Sequence, residues 1–332
     1  MGTNIAIGNL IGKHNTDTQK INFPFSNSLV DYWNFKGKNN SDEDRDTIKG
    51  IKGGILTAYN LGWSLGSGYG LYKENYNNFR QLSGTTGVFT NTDHSIRISN
   101  VNAVNIPVTE IPYKAGEISP EYQIKVTGLL EGQQCSIGYF YNYAGNTKPS
   151  VQKNLIDIPK DGIYTVPSFT FPSDIKSGTA TRIVFNFAGD TDITIEQIPE
   201  YEGAIVTDGI DDYLKLDKVG YKIGTVILRY TTLFRDNNWR YIFDVQQERS
   251  YLASNKETGA FVTSMQYKFA GDHMYLIPRT SNNPTISNTP LYIGSNSIVT
   301  ESARMALYEI AIYEDILTEE EVQKEIEKMN KV

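Results

Sequence analysis

Along most of the chain, apolar and polar residues alternate in short stretches broken by Gly, Pro, Asn and Asp. A period of two sends successive side chains to opposite faces, so each stretch predicts a half-buried β-strand. Leu29–Phe35 predicts the first, with Val30, Tyr32 and Asn34 on one face and Leu29, Trp33 and Phe35 near the other. Ile55–Tyr59 predicts the second, and the strongly charged run from Lys36 to Lys52 between them predicts a solvated loop. Further strands are predicted at Ser95–Ile98, Tyr122–Val126, Ser136–Phe140, Ile163–Val166, Arg182–Phe187 and Asp192–Ile195. A last series falls at Ala204–Val206, Tyr213–Leu216, Thr225–Tyr230, Tyr241–Phe243, Leu291–Ile293 and Met305–Tyr313. Asp161–Gly162 reads as a hairpin turn, because both residues tolerate positive φ. Short, evenly spaced strands of this kind build a sandwich or barrel, and the predicted class is all-β.

The period changes to helical only at the C-terminus. Thr318 is the predicted N-cap, with Glu321 at capping-box spacing. Glu319, Glu320 and Glu321 suit the positive end of the helix dipole, and Lys328 and Lys331 the negative end. Val322, Ile326 and Met329 form the apolar stripe of a short helix laid on a sheet. The other terminus has no sustained period. Residues 1 to about 26 are polar with apolar islands at Ile5, Ile7, Leu10, Ile11, Phe23 and Phe25, which predicts an arm ordered by docking on another subunit.

Composition supports the β reading, with 22 Tyr, 14 Phe and 3 Trp against 5 Met in 332 residues. The net charge of −7, with no long Lys/Arg run, argues against nucleic acid as a partner. The single Cys135 excludes an intrachain disulfide and a cysteine-based zinc site, and His14, His94 and His273 lack metal-ligand spacing. No run approaches the roughly 18 apolar residues of a membrane span, and the start does not read as a signal peptide. The expectation is a chain made inside a cell, without membrane insertion and not individually exported.

Candidate chemistry is sparse. Gly66-Ser-Gly68-Tyr-Gly70 departs from a dinucleotide fingerprint in spacing and context and reads as a strand corner. Asp42, Glu43, Asp44 and Asp46 read as a solvated face. Thr207–Tyr213 reads as a tight turn between strands, with Tyr213 facing inward. Its Asp208, Asp211 and Asp212 are the candidates for calcium, which takes six to eight oxygens, but the structural turn is the favoured reading and no metal or other cofactor is expected. No elbow motif surrounds Ser264 or Ser295, and His273 is placed in a loop rather than a relay, so no catalytic residue is assigned. Trp239 and Tyr241 lie two apart beside Asn237, a pattern that could offer rings to sugar faces and an amide to hydroxyls; a core position for the tryptophan is the competing reading.

Three segments resemble the laminin-G/concanavalin A-like lectin family. They are Leu29-Val-Asp-Tyr-Trp-Asn-Phe35, Ala204-Ile-Val-Thr-Asp-Gly-Ile-Asp-Asp-Tyr213, and Ala306 through Glu321 with its closing strand and helix. This resemblance implies a jelly-roll sandwich made of residues 27–84 plus 199–332, interrupted by an inserted β-sandwich at 85–198. The Trp33-to-Arg45 loop and the Ile195–Gly203 linker, with the signal-free start, also resemble virion proteins of crAss-like phages of gut Bacteroidetes. That likeness implies a non-enzymatic head-fibre or capsid-decoration protein, anchored by residues 1–26. It implies a homotrimer in preference to a dimer, contacts with capsid or other virion proteins, and host-surface or mucus glycans as targets. The alternative is a tail-associated receptor-binding protein or a free carbohydrate-binding protein.

Overall fold

The structure is a computed structural model that describes residues 25–76, 88–101, 105–111, 113–146, 148–176, 179–185, 189–233, 240–245, 250–254, 261–263, 265–278, 284–296 and 298–332. Of the arm residues only Phe25 is among them; Ile5, Ile7, Leu10, Ile11 and Phe23 lie outside the described residues, as do His14, Asn237, Trp239 and Ser264.

The described chain is all-β apart from one short 3-10 turn and the C-terminal helix Glu319–Met329. Its larger strands form two pairs of antiparallel sheets. In the first pair, one sheet runs Met265–Ala270, His273–Pro278, Thr225–Thr232, Met305–Tyr313, Ile205–Val206, Gly68–Tyr69, and Leu29–Asn34 also pairs with Met305–Tyr313. The facing sheet runs Thr47–Lys49, Ile55–Tyr59, Tyr213–Leu216, Leu291–Ile293, Arg240–Val245, Ser250–Ser254, Phe261–Thr263. One core joins them: Val226, Leu228, Leu307, Ile310 and Ile312 meet Leu56, Leu214, Leu216, Phe243 and Ile293. Each such fully buried side chain contributes about 1.5–3 kcal/mol.

The second pair uses only strands between residues 88 and 198. Its four-stranded sheet runs Val151–Ile158, Cys135–Tyr141, Thr179–Phe185, Asn105–Ile111. Its five-stranded sheet runs Gly162–Val166, Tyr122–Thr127, Gly189–Ile198, Ser95–Val101, Val88–Asn91. A separate core of Ile96, Ile98, Ile124, Val126, Ile193 and Ile195 packs on Ile137, Ile158 and Ile183. Cys135 is sealed in this core, and burial pushes its thiol up to about 12.

The two legs connecting the sandwiches are zipped together. Tyr201 N–H donates to Gly70 O at 2.8 Å, and Glu200 N–H to Leu71 O at 3.0 Å. Gln197, 1% exposed, accepts from the N–H groups of Lys73 and Glu74 and donates back to Glu74 O at 2.9 Å. Tyr72 stacks on His94 with centroids 4.5 Å apart. Gly70 has φ 86°, and a Cβ there would stand 2.6 Å from Pro199 Cβ, so only glycine fits this crossing.

Several expectations change. A register shift between Leu29 and Asp31 moves Val30 into the sandwich core with Trp33 and Phe35, while Leu29 turns with Tyr32 towards the helix. The charged run 36–52 contains the strand Thr47–Lys49, whose Ile48 is buried. Asp161–Gly162 does not close a hairpin, because Val151–Ile158 and Gly162–Val166 belong to different sheets. Asp161 instead accepts the N–H groups of Gly128 and Leu129, at 2.9 and 2.8 Å. The helix has its Thr318–Glu321 capping box and buries Val322, Ile326 and Met329 as read from the sequence. Phe25 is a correction: it is 9% exposed, 5.5 Å from the Tyr32 ring, and packs in the helix cluster of its own chain instead of waiting for a partner.

Candidate functional site

Three depressions of the described surface share walls. At one end, Met265–Ala270 is an edge strand, and its Tyr267 and Phe269 are 40% and 60% exposed. Their rings meet edge to face at 6.1 Å. In the strand register Tyr267 is opposite Leu276 and Phe269 opposite Met274, both core residues, so the inner face of this sheet continues past the core into solvent. Phe269, Tyr230, Met274, Thr231, Thr232 and Asp272 line a depression of about 270 Å³ there.

Thr231 and Thr232 also line a second depression, of about 520 Å³, with Leu71, Lys73, Glu200, Tyr201, Leu233 and Arg304. Its Leu71, Tyr201 and Leu233 belong to the apolar cluster that buries Ala204, Val206 and Ala306 behind them. Lys73 and Glu200, which form an ion pair, in turn line a third depression of about 370 Å³ with Glu121, Tyr122, Gln123 and Thr165. The three are chained through shared walls and run from the edge of the first sandwich, over the zipped legs, to the base of the second. Exposed Phe269 and half-buried Tyr230 and Tyr201 share this groove with hydroxyl, amide and charged groups, the mixture that desolvates sugar faces while bonding sugar hydroxyls.

The residues singled out in the sequence lie mostly elsewhere. Asn237 and Trp239 belong to the stretch between Leu233, a groove residue, and Arg240. Tyr241 is half-buried, and its N–H donates to Glu301 O at 3.1 Å. Groove residue Phe269 and its strand neighbour Tyr267 share the two-apart aromatic spacing of Trp239 and Tyr241; that spacing was the available signal. Lys73, Glu200 and Arg304 carried none, because only the pairing of distant segments brings them together.

Asp208, Asp211 and Asp212 do converge, each offering an oxygen within 4.8 Å of the others. Asp208 Oδ1 accepts from Ile210 N–H at 2.7 Å and Asp212 Oδ2 from Asp208 N–H at 2.8 Å. Arg240 Nη1 braces the same turn by donating to Gly209 O and Ser302 O at 3.0 and 2.9 Å. Burial, then the charges of Asp208 and Asp211, push the Asp212 carboxyl up to about 6 against hydrogen bonds from the Asp208 N–H and Ser67. The cluster is a crossover turn between the two sheets held by its own bonds, and no ion is assigned to it. Tyr213 corrects another expectation. It faces outward, stacked on Tyr59 at 4.9 Å and beside Tyr292 at 5.7 Å, while Leu214 and Leu216 fill the core.

His273 likewise is not in a loop. It opens the strand His273–Pro278, is 0% exposed, and lies 3.0 Å through Nε2 from Glu309 Oε1. Glu309 also accepts from Tyr32 OH at 2.5 Å and Arg229 Nε at 3.0 Å. Burial alone would raise this carboxyl, but the bonds from His273 and Tyr32 and the charge of Arg229 outweigh it and hold the group below the ordinary carboxylate value. The network is closed over by the helix side of the sheet and presents neither His273 nor Glu309 to a ligand. It is a structural strut.

No protein-family model matches the chain, and no curated protein matches it in sequence. Solved structures offer faint likenesses. The N-terminal CBM22-1–CBM22-2 tandem domain of Paenibacillus barcinonensis Xyn10C is 8% identical over 75% of this chain and 99% of its own, with a TM-score of 0.27. The glycosylation-associated Gap123 complex of Streptococcus agalactiae is 12% identical over 47% of this chain and 34% of its own, with a TM-score of 0.20. At these scores the overlap is too slight to transfer a topology or a site. Among the described residues, no helix is long and apolar enough to cross a membrane.

Proposed function

We propose that this chain is a non-enzymatic glycan-binding protein of a phage virion, a head fibre or capsid decoration carrying its two sandwiches outward. The carrying observation is the groove, in which exposed Phe269 shares a depression with Thr231 and Thr232, and these share the next with Lys73, Glu200 and Arg304. The non-enzymatic reading draws on the engagement of the reactive groups. His273 and Glu309 are sealed in a strut, Cys135 is in a core, and Asp208 and Asp212 hold a turn. The virion reading draws on the sequence resemblance of the Trp33-to-Arg45 loop and the Ile195–Gly203 linker, and includes anchorage by the arm residues that precede Phe25 and a homotrimeric state.

The binding half is tested on an array of bacterial-surface and mucin glycans with the wild type and Phe269→Ala. Substitution of this exposed ring should weaken binding about fivefold or more, in line with about 1 kcal/mol for a stacked aromatic, while leaving the fold intact. Equal binding by both proteins removes this end of the groove from the proposal. The virion half is tested by quantitative mass spectrometry of purified particles. Many copies per particle fit a capsid location, a handful point to the tail, and absence returns the chain to a free carbohydrate-binding protein.

A further inference from the structure

The middle of the groove holds two cations in different circumstances. Lys73 is ion-paired with Glu200, so its charge is locally cancelled. Nearby Arg229, which lies over the Tyr308 ring at 4.6 Å, is engaged by Glu309 at 3.0 Å and Asp272 at 3.7 Å. Arg304 is exposed, lines the same depression, and has no ion pair or side-chain hydrogen bond among the described residues.

Its base is nonetheless fixed. Leu233 N–H donates to Arg304 O at 2.9 Å. Gly209, at φ 81°, packs so closely that a Cβ there would stand 2.8 Å from Arg304 Cβ and 3.0 Å from its backbone nitrogen. Burial and then Glu200 raise the Tyr201 hydroxyl across the depression, with the Arg304 guanidinium opposing them in small part. An unmatched guanidinium on a fixed backbone, beside Tyr201, Thr231 and Thr232, presents a planar fork, and a carboxylate is the group that matches it bidentately. In a chain of net charge −7, such a localised cation is also what lets an acidic polymer approach.

We infer that the middle of the groove takes a carboxylate-bearing sugar residue, uronic or sialic in kind, whose carboxylate pairs with Arg304. The inference rests on the glycan reading above and narrows it to acidic chains.

The test is isothermal titration calorimetry on the full chain with two matched pairs: oligogalacturonic acid against its methyl ester, and sialyllactose against lactose. The first pair reads a uronic carboxylate within a linear chain, the second a terminal sialic one. The acidic member of at least one pair should bind the wild type fivefold or more tightly than its neutral counterpart. Arg304→Gln should abolish that preference while thermal unfolding stays unchanged. A preference below fivefold in both pairs, or one that survives Arg304→Gln, overturns the inference. Binding of neutral saccharides alone overturns it while leaving the glycan reading standing, and binding of none by a protein that is also silent on the array overturns both.

Discussion

Glu309 in the first sandwich and Glu74 at the foot of the second are both buried carboxyls bonded to a tyrosine hydroxyl, yet they sit in opposite electrostatic surroundings. Glu309 is met by Tyr32, His273 and Arg229, so donors and a cation compensate for the lost water and favour the ionised form. Glu74, 7% exposed, accepts from Tyr113, in a site where Tyr76, Tyr122 and Tyr139 are also buried. Burial dominates there and pushes the carboxyl up from 4.5 to about 7, with the Tyr113 bond opposing it only in part. Equal burial therefore does not mean equal charge; the donors around a carboxyl decide which form the fold prefers.

Removing Glu309 should have the largest effect. Glu309→Ala leaves Arg229 and His273 without their shared acceptor and Tyr32 without its partner, and should cost about 3–5 kcal/mol. Denaturant unfolding followed by tryptophan fluorescence reads it, since Trp33 sits in the same sandwich. A loss below about 1 kcal/mol would mean that water replaces the carboxylate freely. The wild-type contribution follows the lowered pKa: it is present above the unfolded value of 4.5 and lost as pH falls through the folded value.

Glu74 should show the reverse slope. Its folded pKa is raised, so the native state binds the proton more tightly, and stability falls as pH rises from about 4.5 to about 7. Glu74→Gln keeps an acceptor for Tyr113 and removes the charge. It should therefore stabilise the second sandwich by roughly 3 kcal/mol at pH 8 and hardly at all at pH 4, at about 1.36 kcal/mol per pKa unit. Parallel pH–stability curves for wild type and variant would show that Glu74 is hydrated in solution and break the contrast.

Gln197 tests whether the tie between the sandwiches depends on a single side chain. Gln197→Ala removes the acceptor for the Lys73 and Glu74 N–H groups and the donor to Glu74 O, for a cost of about 1–3 kcal/mol. Hydrogen exchange should quicken at Lys73 and Glu74 while Ile227 and Ile310, central in the first sandwich, keep their protection. Exchange that quickens equally everywhere would mean that the sandwiches unfold as one unit.

How far the sequence reaches follows the range of the interactions. The capping box at Thr318 and Glu321 and the alternation of Tyr122–Thr127 are local patterns, and each appears in the fold as read. Asp161–Gly162 carries the local signature of a hairpin, but its flanking strands find partners in different sheets, and local preference yields to sheet pairing. Alternation fixed that Tyr213 and Leu214 point to opposite faces without saying which face is covered; the core took the leucine and left the tyrosine in a ladder with Tyr59 and Tyr292. His273 was misplaced because its partner, Glu309, is 36 residues away. The groove was illegible for the same reason: Lys73, Glu200 and Arg304 are neighbours only after both legs of the second sandwich are zipped and the closing strand is laid beside them.

The smallest predicted effect sharpens the contrast from a site remote from both glutamates. Thr318 accepts the Glu321 N–H at 3.3 Å, and Glu321 accepts the Thr318 N–H at 2.8 Å, so two orphan donors at the helix start depend on this pair. Thr318→Ala should cost about 1 kcal/mol of first-sandwich stability. The helix is docked through Val322, Ile326 and Met329 on the sheet that carries Tyr32, so the loss should appear in the same unfolding transition as that of Glu309→Ala. Glu309 keeps all its donors in this variant, so its stability curve should shift downward without changing slope at acidic pH. A changed slope would mean that helix docking sets the solvent access of Glu309, and the donor set alone would no longer explain why this carboxyl stays charged.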